Sequence, residues 1–276
     1  MNPIAFQGEF GAYSHMAVLA AFPGRDALPC QSFEDAFAAV EEGKADLAMI
    51  PIENSLAGRV GDVHHLLPQT PLHIVGEHFL PIRHALMAPL GANLAGLRQV
   101  RSHPMALGQC RKQLRAMGLK LIASADTAGA AREVAEARDL SQAALASALA
   151  AQLNGLILLK EDLADADHNA TRFIILARTA PRAPPMPALT SFVFQVRNIP
   201  AALFKALGGF ATNGINMTKL ESYQLGGSFA ASQFYADVEG CPHDPPMARA
   251  FEELAYFSTQ LRVLGCYPAD PYRQKF

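Results

Sequence analysis

Over the first and longer part of the chain, short apolar runs alternate with alanine-rich stretches whose hydrophobic residues recur at helical spacing. Residues 4–7, 45–52, 72–75, 85–88, 120–123 and 172–177 read as strands. Residues 14–22, 105–117, 127–137 and 140–152 read as helices. Ser14 is expected to cap the first helix. Ser32, followed by Glu34 and Asp35, opens another that carries Ala36, Phe37 and Val40 on one stripe. Strands interleaved with helices in this way build an α/β sheet protein.

The pattern then breaks. Residues 179–189 contain Pro181, Pro184, Pro185 and Pro187, which remove backbone donors and hold the chain extended, as in a semi-rigid linker. Beyond it, Phe192, Phe194 and Val196 share one face of a strand over 190–196, and Leu203, Leu207 and Phe210 mark a helix that ends at Asn213-Gly214. Strands follow at 217–223 and 228–238 around a Leu225-Gly226-Gly227 turn. Met247, Phe251, Leu254 and Ala255 then mark a second helix, and 261–267 a last strand. The order β-α-β-β-α-β predicts a ferredoxin-like sandwich. The expected organisation is therefore a domain over 1–178, a linker over 179–189 and a second domain over 190–276.

Composition narrows the function classes. Charged residues make up 17% of the 276, with Lys+Arg 23 against Asp+Glu 25 and a net charge of -2, which gives no footprint for nucleic acid. The basic group Arg111, Lys112, Arg115 and Lys120 reads as a solvated helix face, with a site for a small acidic ligand as the alternative. Met1-Asn2-Pro3-Ile4 has neither a charged nor a long apolar leader segment, and no apolar stretch reaches membrane-spanning length, so a cytoplasmic location is expected with no membrane partner. The four cysteines show no C-x-x-C pair and are expected as reduced, mostly buried thiols. His64-His65 is poorly spaced for one metal, because adjacent side chains diverge. No metal site is expected.

Open α/β sheets bind ligands where strand ends and helix starts present unpaired backbone donors. Small polar residues concentrate at such places in Gln7-Gly8-Glu9-Phe10-Gly11-Ala12-Tyr13-Ser14, in Pro51-Ile52-Glu53-Asn54-Ser55, in Ser102-His103-Pro104 ahead of Gln109, and in Asn169-Ala170-Thr171-Arg172-Phe173. Each also has an ordinary reading as a glycine turn, an Asn-Ser turn, a capping serine or a β-branched strand residue. Nucleophile elbows, H-E-x-x-H and phosphate-binding loops are missing from the sequence.

Taken in order, these segments resemble the prephenate dehydratase family. The matches run over nearly the whole chain and include an expected helix at 143–151 with Ser147. The second domain is similar to the ACT domain that binds phenylalanine in this family. The resemblance implies a catalytic domain of two α/β lobes, similar to periplasmic binding proteins, with the active site in the cleft. It implies Thr171 as the catalytic residue of the T-R-F motif, with Asn54 and Gln109 beside it. Ser102, Ser55, Ser14 and Phe173 are implied as substrate-binding residues, and Arg172 as the clamp for a carboxylate. The implied substrate is prephenate, which loses CO2 and water to give phenylpyruvate without metal or organic cofactor.

In the second domain the resemblance implies an effector site with Ala202, Leu203, Asn213, Glu221 and Ser222. Pro200-Ala201-Ala202-Leu203 and Glu221-Ser222-Tyr223-Gln224 stand where the family has G-A-L-V and E-S-R-P, so the glycine and the Arg-Pro half are not retained. Ala12 stands where the family carries Thr, and Met105 where it often carries Gln. ACT domains pair side by side around their effector, which implies a homodimer or homotetramer. Arogenate dehydratase, the same reaction on an amino-bearing substrate, fits the motifs equally. A non-catalytic small-molecule sensor is the alternative from another class.

Overall fold

The computed structural model describes residues 2–180, 184–197, 199–224 and 231–275. Pro181 and the expected turn at Leu225-Gly226-Gly227, with Ser228, lie outside them. The chain divides into a first unit, Met1–Val60 with His78–Phe173, and a second, Gly61–Glu77 with Ile174–Phe276.

From the amino terminus come β1 (Ile4–Gln7), α1 (Tyr13–Ala21), β2 (Ala27–Cys30), α2 (Phe33–Glu41), β3 (Leu47–Asn54) and β4 (Gly58–Arg59). Next are α3 (Gly61–Leu66), β5 (His73–Pro81), β6 (Ala85–Ala88), β7 (Gln99–Ser102), α4 (Pro104–Gln109), α5 (Arg111–Ala116) and β8 (Lys120–Ala123). Then follow α6 (Thr127–Ala137), β9 (Gln142–Ala146), α7 (Ala148–Asn154), β10 (Ile157–Lys160) and β11 (Ala170–Ala177). One sheet has the order β2-β1-β3-β11-β5, with β4 on β3, and another the order β10-β6-β9-β7-β8. Each is the core of one lobe.

In the first lobe β1 pairs in parallel with both β2 and β3, which requires crossovers; α1 and α2 supply them. Ile4, Ala5, Phe6, Ala48, Met49 and Ile50 are fully buried, as expected of parallel strands covered on both faces. Ser32 caps α2 in a reciprocal box with Asp35, as its sequence predicts. In the second lobe, Ala128, Ala130, Ala131, Ala144, Ala146, Ala150 and Ala151 pack with Met87 and Val134. Such small side chains let α6 and α7 lie close on the sheet.

Local structure departs from the sequence reading at several places. The expected helix at 140–152 is the strand β9 followed by α7, because Ala143 to Ala146 are completely buried between β6 and β7. Alanine has little strand preference of its own, and sheet pairing overrides it. Ser147 sits at the join and caps α7 through Ala150 N. The expected helix at 105–117 breaks at Cys110 (φ -115, ψ 16) into α4 and α5. The Asp165 carboxylate meets the new helix start, accepting from Lys112 N at 2.9 Å. Ser14 is not a cap: α1 starts at Tyr13 after Ala12, and His15 Nδ1 accepts from Gly11 N at 3.1 Å instead. Ser102 closes β7, and the capping side chain of α4 is His103. The strands at 27–30, 58–59, 99–102 and 157–160 and the helix at 61–66 have no counterpart in the sequence reading.

The second unit contains β12 (Ala188–Val196), α8 (Ala202–Thr212), β13 (Met217–Gln224), β14 (Ala231–Glu239), α9 (Pro245–Phe257) and β15 (Ser258–Pro268). Its sheet has the order β13-β14-β12-β15, with β12 antiparallel to both neighbours. This is the expected βαββαβ sandwich. β12 begins at Ala188, inside the stretch read as linker. Phe192, Phe194 and Val196 face the helices and join Phe210, Met247 and Leu254 in one core.

Candidate active site

Asn54 is the last residue of β3, and its side chain folds back on the chain. Its Oδ1 accepts from Leu56 N at 3.0 Å and Ala57 N at 2.9 Å, the local turn that asparagine favours. Those backbone donors fix which way the amide faces. Its nitrogen therefore points at β11, the neighbouring strand, and donates to Thr171 Oγ1 at 3.0 Å and Asn169 Oδ1 at 2.8 Å. Gln109, at the end of α4 in the other lobe, donates from Nε2 to Asn54 Oδ1 at 3.2 Å. Residues 54, 109 and 171 are thus brought together from both lobes, each half-buried.

The sequence reading singled out neither Tyr13 nor His84 as a site residue, yet both extend this cluster. Gln109 Oε1 accepts from Asn169 Nδ2 at 3.0 Å and faces His84 Nε2 at 2.8 Å. His84 Nδ1 in turn meets Tyr13 Oη at 2.8 Å. Burial lowers the His84 pKa, partly offset by its hydrogen bond to Gln109, so the imidazole is neutral at pH 7. Burial, and then nearby Cys110, raises the Tyr13 hydroxyl well above its ordinary value. With Nε2 bearing the hydrogen that Gln109 Oε1 accepts, Nδ1 accepts from Tyr13. Donors then run in series from Tyr13, whose hydroxyl also donates to Arg83 O at 2.9 Å, to His84, to Gln109, to Asn54 and to Thr171, while Asn169 closes a ring from Asn54 back to Gln109. Tyr13 and Asn169 sit in polar segments visible in the sequence. His84, 2% exposed beside an apolar strand, carries no such signal.

The glycine turn after β1 places Tyr13. Gly11 has φ +93, and a Cβ there would come within 2.8 Å of Ala150 Cα in α7. Ser147 Oγ, which also caps α7, donates to Gly11 O at 2.5 Å. Close by, Arg132 of α6 makes a two-pronged pair with Glu9 at 2.9 and 3.0 Å. The first lobe's turn is thereby fastened to the second lobe's helices. Gln7, Glu9, Cys30, Gln31, Asp126 and Arg132 line a pocket of about 890 Å³ beside it.

The remaining expected substrate contacts are placed differently. Arg172, 1% exposed, does not present its guanidinium to a cleft; it pairs with Glu53 Oε1 at 3.0 Å. Phe173 is core. Ser102 is fully buried and donates to Leu145 O at 2.6 Å. Ser55 donates to His168 O at 2.6 Å and accepts from Ala170 N, stapling the end of β3 to the entry of β11. Ser14 is buried in α1. In the second unit, Ala202 and Leu203 open α8, and Asn213 ends it, accepting from Arg249 Nε at 2.9 Å. Glu221, on β13, pairs with Lys219 at 3.1 Å, while Ser222 beside it is exposed. Among the described residues no group of three or more His, Cys, Asp or Glu is gathered for a metal. No helix is long and apolar enough to cross a membrane among the same residues.

Two α/β lobes thus share an uncharged polar cluster that ends on the Thr171 hydroxyl. Residues 4–181 match the family model described as prephenate dehydratase, and the chain belongs to the prephenate dehydratase family. A Komagataeibacter europaeus protein described as a bifunctional N-acyl-homoserine lactone acylase/prephenate dehydratase is 53% identical over 99% of this chain and 98% of its own. Arogenate dehydratase/prephenate dehydratase 2, chloroplastic, from Arabidopsis thaliana is 44% identical over 97% of this chain and 73% of that one. Among solved structures, the prephenate dehydratase of Arthrobacter aurescens in complex with L-Phe superimposes with a TM-score of 0.88 at 30% identity, covering 97% of this chain and 90% of that one.

Proposed function

We propose that the chain converts prephenate to phenylpyruvate. The ring carboxylate leaves as CO2, its bonding electrons complete the aromatic ring, and the ring C–O bond breaks. Aromaticity supplies the driving force, so the protein must orient the ring and assist a departing hydroxide. The observation that carries this reading is the state of the Thr171 hydroxyl. Its oxygen accepts from Asn54, which leaves its own hydrogen for the substrate's leaving oxygen. With a high pKa, Thr171 acts as hydrogen-bond donor or proton relay and does not ionise. Asn54 and Gln109 aim it. General-acid help is worth roughly 10²–10⁴-fold and a donor directed at developing charge roughly 10²–10³-fold. Tyr13 and His84 hold Gln109 in register. Arg172 serves by fixing Glu53 at the end of β3.

The βαββαβ unit is assigned to phenylalanine sensing in a cytoplasmic homodimer or homotetramer, on its strand order and on the L-Phe complex of the Arthrobacter aurescens relative. Absorbance of phenylpyruvate formed from prephenate tests the reading, with arogenate in parallel and phenylalanine added to each. Turnover of prephenate that falls on adding phenylalanine is the expected result. Absence of turnover on both acids would remove the assignment. Turnover of arogenate alone would move the substrate. A second reading rests on the Komagataeibacter europaeus relative, whose description names two activities: hydrolysis of the amide of an N-acyl-homoserine lactone. Release of homoserine lactone from such a substrate tests it directly.

A further inference from the structure

The second unit holds a pair of thiols that take no part in the dehydration. Cys241 follows directly on Gly240, whose φ of +106 turns the chain after β14. Gly240 N donates to Ala188 O at 2.9 Å, and Gly240 O accepts from Thr190 Oγ1 at 2.7 Å. The turn is thereby fastened to the start of β12. On the other side of that strand, Cys266 stands opposite Thr190 in the register of β15. One cysteine thus flanks each side of the central strand, and the sulfurs approach to 3.0 Å. That is closer than two unbonded sulfurs normally rest.

Both thiols are free and half-buried, whereas Cys110 is buried. The Cys266 thiol donates to Cys241 Sγ. Burial, followed by the contact with Cys241, pushes Cys266 up to about 12. With the Cys266 hydrogen directed at Cys241 Sγ, the first attack on an oxidant is assigned to Cys241. Closing from 3.0 Å to a disulfide bond length moves the sulfurs by about 1 Å, within the reach of side-chain rotation alone.

We propose that Cys241 and Cys266 are a reversible oxidation site, which a hydroperoxide converts to a disulfide joining the end of β14 to β15 across β12. Cys241 Sγ attacks the peroxide; an S–O bond forms, the O–O bond breaks, and one oxygen leaves as water (or as an alcohol from an organic peroxide). Cys266 Sγ then attacks that sulfur. An S–S bond forms, the S–O bond breaks, and the departing hydroxide takes the Cys266 proton as a second water. The thiols lose two electrons and the peroxide gains them. An added dithiol reverses the step.

The test uses the full chain, treated with hydrogen peroxide, alkylated under denaturing conditions and mapped by mass spectrometry. The expected map joins the peptides bearing Cys241 and Cys266, leaves Cys30 and Cys110 alkylated, and returns to four alkylated thiols after dithiothreitol. Thermal unfolding of the oxidised chain should shift upward by several degrees, since the bridge closes the loop that carries α9. Cys266→Ser should instead leave a sulfenic acid on Cys241 that dimedone traps. Full alkylation of both cysteines after peroxide would overturn the proposal, as would overoxidation of Cys241 in the intact chain with no joined peptide. The mapping needs no variant, so a Cys266→Ser chain that fails to fold does not blunt it.

Discussion

The first unit and the second each carry a polar cluster, and they are built to opposite ends. In the second, Ser191 Oγ meets Asp237 Oδ1 at 2.5 Å and Tyr267 Oη at 2.5 Å, with Tyr235 Oη at 3.1 Å. All four residues are fully buried. His64 and Tyr223 of the same unit are hydrogen-bonded beside Tyr235. In the first, Asn54, Gln109 and Thr171 are half-buried, and the series of donors ends on the Thr171 hydroxyl, which the proposed function assigns to the substrate. A sealed network spends its capacity on holding strands in register. A site keeps one group in reserve at an accessible end. Hydrogen-bond count does not separate the two; the position of the last donor does.

Four measurements sharpen or break that contrast. Thr171→Ala removes the terminal donor and should lower kcat by about 10²–10⁴-fold while KM and the unfolding midpoint change little. Equal losses of kcat and stability would make Thr171 a structural residue. Asp237→Ala should do the reverse, costing about 1–3 kcal/mol of stability by leaving buried donors unmet, with kcat unchanged in the folded fraction. Urea unfolding followed alongside turnover checks both. Tyr13→Phe deletes the far end of the series and should lower kcat by about 3–10-fold, the worth of one hydrogen bond, with KM held. No change would confine the working part of the network to Gln109 and beyond.

The smallest effect concerns pH. Burial depresses the His84 pKa below its ordinary 6.5, so the unfolded chain takes up that proton before the folded one does. Stability therefore rises with pH between the depressed value and 6.5, and is lost as pH falls through that window. His15, also lowered by burial, contributes with the same sign. Urea midpoints measured across the window should fall toward acid, and less steeply in His84→Gln than in the parent chain.

Much of this was legible in the sequence. The βαββαβ order and the stripe of Phe192, Phe194 and Val196 follow from apolar periodicity and turn residues, and the Ser32 cap from the acidic residues that follow it. The segments holding Asn54 and Thr171, and the Ser102-His103-Pro104 segment ahead of Gln109, stand out as polar residues at strand ends and a helix start. The failures have physical causes. An alanine run fits helix and strand alike, so β9 depends on its buried neighbours. The expected guanidinium clamp is buried against Glu53 instead, a pairing that sequence does not reveal. His84 escaped notice because its role comes from Tyr13 and Gln109, which are near only in space.

The contact between Gly11 and Ala150 sets how the two lobes can move. With the Cα of Ala150 where any larger side chain at Gly11 would lie, and with Ser147 holding the same peptide, the lobes have no slack at this point. The expected consequence is that breathing of the first unit turns about that spot, as a door turns on its pin. Amides at the Gly11 and Ala150 junction should then be among the slowest in the first unit to exchange with solvent, while those around Asn54 and Thr171 exchange sooner.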